Sequence, residues 1–376
     1  DFSGVIQGSG GLTVQGSLSL SGTNTYTGAT TIDTGALLEL DDSGSIANSS
    51  GVNLIGAGAI FDVSCGCISP QTIKDLSGVA GSSVLLGDNS LTVGTANDTT
   101  FDGDILAVGG AGGLIKQGTG TLTLGGNNDY TGGTTINAGT IAVSNDVNLG
   151  DASGGITFNG GALRFLASFN LASTRAITLN AGGGTIDTGS FDTTISQAIG
   201  GTGGLTKAGA GALILSAANG YSGATTISGG ALVLTGAGSI AASTGVNLTD
   251  ATAGFDVSGS SGAQTIQDLS GVADSIVALG SNSLTVGTSN STTFSGGING
   301  WGVFIKQGSG TLTLEGQSIF TGAVTINAGT LALADFGDLS LSSLVTVATG
   351  ATFDISASSF PFSGIGNLAG GGTVQL

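Results

Sequence analysis

Short runs in which apolar and polar residues alternate recur along this chain, and they set the first expectation. Thr121-Leu122-Thr123-Leu124 puts two leucines on one face and two threonines on the other; Thr135-Ile136-Asn137 and Thr140-Ile141-Ala142-Val143 alternate in the same way. Between these runs lie Gly125-Gly126, Thr131-Gly132-Gly133 and Ala138-Gly139, where glycine admits the positive φ of a tight corner. Strands so short, joined by such corners, cannot fold back as useful hairpins. They can wind as a solenoid, each strand pairing in parallel with its equivalent one coil away.

The pattern is also repeated on a longer scale. The unit from Gly113 to Val143, GLIKQGTGTLTLGGNNDYTGGTTINAGTIAV, returns from Gly204 to Leu234 and from Val303 to Leu333, with a weaker copy from Gly11 to Leu40. An aromatic before Thr/Ser-Gly marks each copy, at Tyr26, Tyr130, Tyr221 and Phe320. A second, linking unit is duplicated as well: the stretch from Gly44 matches that from Gly238, and IKDLSGVA from Ile73 matches IQDLSGVA from Ile266. Leu122 to Ile141, Leu213 to Leu232 and Leu312 to Leu331 are each 19 residues apart, so one coil of the repeat takes about that length. The expectation is an all-β, right-handed parallel β-helix, a single elongated rod over residues 1–376. Repeat units fall near 2–40, 101–143, 195–234 and 294–333 with linking coils between them. Coils of about 19 to 25 residues give roughly 15 to 20 coils and, at ~4.8 Å each, a rod of roughly 70–95 Å. No helical period is present.

Composition narrows the class. With 73 glycines, two prolines and 8% charged residues the chain is unlike an ordinary globular domain, and 39% hydrophobic residues with a mean hydropathy of +0.41 is too apolar for disorder. Twenty-four acidic against six basic residues give a net charge of −18, which repels a nucleic-acid backbone. No run of about 18 apolar residues is present, and the opening Asp1-Phe2-Ser3-Gly4 lacks the features of a signal peptide, so a mature segment or a cut fragment is expected. Few lysines, almost no cysteine and a Ser/Thr/Asn/Gly-rich surface suit a bacterial cell-surface protein.

The pattern GLxKxGxGTLTLxGxNxYTGxTTINAGTLxL resembles the passenger-associated transport repeat of bacterial autotransporters. The resemblance covers four units and, with the linking units, nearly the whole chain. It implies a surface-exposed or released passenger on a Gram-negative bacterium, carried by an outer-membrane translocator barrel that is not in these residues. In that family the repeat is tied to secretion and folding rather than to one ligand.

Lookalikes of catalytic motifs fail on chemistry. Asp41-Asp42-Ser43-Gly44-Ser45 and Gly87-Asp88-Asn89-Ser90 suggest serine nucleophiles, but the chain contains no histidine to take the serine proton, and the duplicate of the first reads Thr235-Gly236-Ala237-Gly238-Ser239. Both are read as turns. Asp62, Asp256 and Asp354 each follow a phenylalanine, and a position repeated in every unit points to architecture rather than an active site. Lys116, Lys207 and Lys306 share one repeat position, held by Val14 in the weak copy, and are read as solvated stems flanking the first strand. Arg164 and Arg175 are the only arginines, in the least repetitive stretch, with no partner nameable from sequence. The nonapeptide of calcium-binding solenoids is absent. Cys65 and Cys67 are a disulfide candidate in a secreted protein, with free thiols or a two-cysteine metal site as the alternatives. No catalytic residue, cofactor or metal set is assigned. The function expected is that of a non-enzymatic adhesin binding a host or matrix protein or glycan, or itself; the alternative is a stalk or extracellular fibre subunit.

Overall fold

The computed structural model describes residues 1–65, 70–359 and 367–376. Strands of mostly three or four residues run from Leu12–Val14 to Thr373–Gln375, and each pairs in parallel with the equivalent strand one coil on. The coil length varies from 18 residues, between Leu12 and Thr30, to 24, between Val52 and Leu76. The 19-residue spacing of the repeat is the register itself: Leu122 sits beside Ile141, Leu213 beside Leu232 and Leu312 beside Leu331. The result is an all-β parallel solenoid of about 17 turns. The chain forms two compact units, Asp1–Thr185 and Ile186–Leu376.

Alternation decides what goes inside. In the first unit Leu122, Ile141 and Leu163 stack in register, all essentially inaccessible. In the second, Leu213, Leu232, Phe255, Val277 and Ile298 make a longer ladder of the same kind. Each such side chain contributes about 1.5–3 kcal/mol by leaving water. The threonines between them face outward, half-exposed.

Polar ladders hold the corners. Asn24, Asn128 and Asn219, two residues before each marker tyrosine, are buried. Their Oδ1 atoms accept from the backbone N–H of Ile6, Ile105 and Ile199 at 2.9, 2.7 and 2.9 Å. Their amides donate to the carbonyls of Ser45, Asn148 and Ser239. One side chain thus ties its own coil to both neighbours and satisfies backbone groups that a corner cannot pair in a ladder.

One departure from pure strand lies at Asp146–Leu149, a single 3₁₀ turn capped by Asn145 and Asn148. Four residues are too few to show a period in the sequence. The turn is set by Arg175, which is fully buried. Its Nε and Nη2 donate to the two oxygens of Asp146 at 2.9 and 3.0 Å. Its Nη1 donates to the carbonyls of Leu149, Asp151 and Gly154, each at 3.1 Å, and Nη2 also to that of Gly150 at 2.9 Å.

Candidate functional site

A groove of about 820 Å³ opens on the second unit, where one corner of the solenoid passes through successive coils. Its floor and walls come from residues 272–276, 295–299, 315–319 and 335–336. Four apolar side chains stand exposed there: Val272 and Ile276 at 42 and 43%, Ile319 and Phe336 at 65% each. Among the described residues three carboxylates, Asp274, Glu315 and Asp335, share the lining, and no lysine or arginine does. Ser295 donates to Glu315 Oε2 at 2.6 Å and holds that carboxylate in place. Asp274 and Asp335 have positive φ, 66° and 50°, which sets them at the tips of their corners.

The other repeat copies serve as internal controls for this surface. Phe336 follows a left-handed corner residue, as do Ser43 after Asp42 (φ 48°) and Ala237 after Gly236 (φ 55°), and all three are exposed. At the position of Ile319, one residue before the marker aromatic, the other copies hold Thr25, Asp129 and Gly220, again exposed. In the linking unit the counterparts of Asp274 and Ile276 are Gly81 and Ser83. Glu315 replaces Ser21, Gly125 and Ser216. The same backbone therefore forms without Asp274, Ile276, Glu315, Ile319 and Phe336, so packing of the scaffold does not demand them, whereas Val272 and Asp335 have the same residue in another copy, Val79 and Asp42. Exposed apolar surface of this kind, in contiguous array, marks an interaction site more often than a structural one.

The passenger-associated-transport-repeat family matches residues 7–38, 114–143, 205–239 and 304–333. Over 375 aligned positions, 90% of this chain, the sequence is 36% identical to the Adhesin BmaC autotransporter of Brucella suis biovar 1 (strain 1330). The four matched segments are copies of that repeat, and nearly the whole chain aligns with one part of an autotransporter. The chain spans about a tenth of that relative's length, 10%.

Within the passenger repeat, the marker aromatics are buried: Tyr26, Tyr130, Tyr221 and Phe320 are all 2% exposed or less. Each tyrosine hydroxyl meets the threonine four residues on, Thr30, Thr134 and Thr225, at 2.6–2.7 Å. Burial pushes the Tyr130 hydroxyl up to about 12. In the fourth copy the two positions hold Phe320 and Val324, both buried, so the two hydroxyls are lost together. This predicts a specific double-mutant result. Thr134→Val alone leaves the Tyr130 hydroxyl buried without its partner and costs about 1–3 kcal/mol. Adding Tyr130→Phe should restore part of that loss in urea denaturation; a further loss would refute the pairing.

The repeat lysines are not solvated stems. Lys116, Lys207 and Lys306 are 1% exposed or less. Period two already implied this, since each stands two residues after an inward apolar residue, Leu114, Leu205 and Phe304, and Val14 of the weak copy is buried too. Each ammonium is held by turn carbonyls: Lys207 Nζ donates to Ala208, Gly209 and Gly229 at 2.8, 2.8 and 3.1 Å, and Lys116 and Lys306 to the equivalent first two. Burial pulls Lys207 down from 10.5 to about 8, against the pull of Asp187 and Asp192. The unfolded chain then holds the proton better between those values, so this group makes stability rise with pH from about 8 to 10.5 and leaves it flat below. The denaturation midpoint of the parent relative to Lys207→Met, a difference in which the tyrosines cancel, should move in the parent's favour across that window.

The remaining candidates are architectural. Asp62, Asp256 and Asp354 each accept from the backbone N–H two residues on, at 2.8, 2.7 and 3.0 Å. Ser43 Oγ donates to the Ser21 carbonyl at 2.8 Å and Asn89 Nδ2 to that of Val63 at 2.6 Å, which ties both segments to the preceding coil; Ser43 lies in a corner as expected, but Ser90 opens the strand Ser90–Val93. Arg164 is exposed beside the small depression lined by Asp98, Thr123 and Leu166. Cys65 donates to Glu39 Oε1 at 2.8 Å, and that bond, with burial and the charge of Asp62, raises its thiol to about 11. Glu39, Asp62 and Cys65 place one ligand atom each within 4.8 Å, and with no ion bound the thiol keeps its proton at neutral pH. Cys67, the other half of the expected pair, lies outside the described residues.

Proposed function

We propose that this chain is the adhesive part of a surface-exposed or secreted passenger, a non-catalytic adhesin that reaches the outside through a translocator barrel in the full-length protein. On this reading the groove on the fourth repeat is the contact surface. The observation that carries it is the set of exposed apolar side chains, Ile276, Ile319 and Phe336, at positions where the other copies are small or polar. The relative named as an adhesin supports the same reading, and so does a sequence without histidine.

The test restores residues the scaffold already accepts. Beads coated with the chain should adhere to host cells or to immobilised matrix proteins, and Phe336→Ser with Ile319→Thr should reduce adhesion at least about tenfold. Both changes stand on the surface, so the melting temperature should hardly move. Full adhesion by the double variant would remove the groove from the function.

A further inference from the structure

We infer that the groove on the fourth repeat takes an extended cationic peptide segment of a partner protein, its Lys or Arg side chains on the carboxylates and its aliphatic side chains on Phe336 and Ile319. The inference rests on the reading of this groove as the contact surface and goes further by stating what fills it.

Charge is the first argument. Asp274, Glu315 and Asp335 line the groove, with no basic side chain among the described residues of the lining. A neutral glycan leaves those charges uncompensated when water is expelled, whereas a guanidinium or ammonium compensates them and is drawn in by the field before contact. The apolar side chains then supply what charge alone cannot, a surface that discriminates one basic segment from another.

A second copy of this chain is a poor source of the cations. Of its six basic residues, Lys116, Lys207, Lys306 and Arg175 are buried, which leaves Lys74 and Arg164 exposed. Two copies of this groove set face to face would bring acidic linings together. Salt dependence separates the cases: screening weakens the capture of a basic segment and strengthens association between like-charged chains.

Geometry sets the length. Among the described residues the lining comes from four successive passes of the chain, and at ~4.8 Å per coil these span about 14 Å, the length of four or five extended residues at ~3.3 Å each. Side chains of an extended segment alternate, so a sequence alternating basic and aliphatic residues can present both kinds to the two kinds of lining.

The probe is a fluorescent peptide of about eight alternating leucine and arginine residues, long enough to cross the groove at ~3.3 Å per residue. It is titrated with the full 376-residue chain. Matched peptides carry glutamine or glutamate in place of arginine, and a neutral hexasaccharide is tested alongside. The arginine peptide should bind, with affinity falling steeply as salt is raised, and the glutamate peptide should not. Phe336→Ser with Ile319→Thr should weaken binding at least about tenfold. That pair alters no charge, so attraction to the net charge alone would leave binding unchanged and would overturn the inference. Asp274→Asn, Glu315→Gln and Asp335→Asn together should flatten the salt dependence, and asparagine tolerates the positive φ at both corners. Equal binding of all peptides, or binding of the hexasaccharide instead, overturns it too. If the apolar double variant loses adhesion to cells while no arginine peptide binds, the contact surface stands and the cationic occupant falls.

Discussion

Arg175→Ala is expected to cost about 3–5 kcal/mol of folding stability, the range for breaking a buried charge pair on one side only. Asp146, 18% exposed, would lose both of its bonds to the guanidinium, and the carbonyls of Leu149, Gly150, Asp151 and Gly154 would lose a donor each. These groups lie in a stretch of corner, not strand, and no neighbouring ladder can take them over. Arg175→Met separates the causes: it keeps most of the volume and none of the donors, so a loss close to that of alanine assigns the effect to hydrogen bonding rather than to a cavity. Urea denaturation measures the size, and limited proteolysis should show earlier cutting between residues 146 and 154. An alanine variant within about 1 kcal/mol of the parent would mean that water replaces the guanidinium at little cost.

The same repeat position should respond in opposite ways to one substitution in two copies. Gly118, two residues after Lys116, has φ +69°, and a Cβ there would come 2.2 Å from the Thr95 carbonyl oxygen. Gly118→Ala therefore meets both a left-handed backbone and another coil's main chain, and is expected to cost more than about 2 kcal/mol. Gly16, two residues after Val14, has an ordinary φ and open space around the same atom. Gly16→Ala should be neutral or stabilise by up to about 1 kcal/mol by restricting the unfolded chain. The contrast tracks the lysine. Gly118, Gly209 and Gly308 are left-handed and each offers its carbonyl to a buried Nζ, whereas the copy with valine makes the corner without either feature. Equal melting temperatures for the two alanine variants would contradict this.

The solenoid was legible because its forces are local and repeated. A period of two sorts Leu122 and Leu124 from Thr121 and Thr123 without any knowledge of the fold, and a 19-residue recurrence states the register before a single pairing is seen. The lysines run against the usual preference of charge for water, and the period outweighs that preference. The alternation put Lys116 inward with Leu114, and the buried Val14 marks the same position in the weak copy. The asparagines two residues before the marker aromatics stood in the repeat pattern, yet their part in tying three coils together depends on which backbone groups the corner leaves unpaired.

The sequence by itself thus determined that the chain is all-β and wound in parallel coils, that it carries four passenger repeats, and that it lacks the imidazole of a serine relay. Tertiary structure alone decided three things: that Arg175 reaches across 29 residues to Asp146, that an ammonium ion can sit in a ring of turn carbonyls, and that Val272, Ile276, Ile319 and Phe336 line one groove. The physical reason is one of range. Strand and corner are set by neighbours two to four residues apart, and the repeat copies them faithfully. A site in a solenoid is made by stacking, between residues about twenty apart on successive coils, so that a single exposed isoleucine is unremarkable in its own copy and becomes a surface only when the next coil sets a phenylalanine beside it.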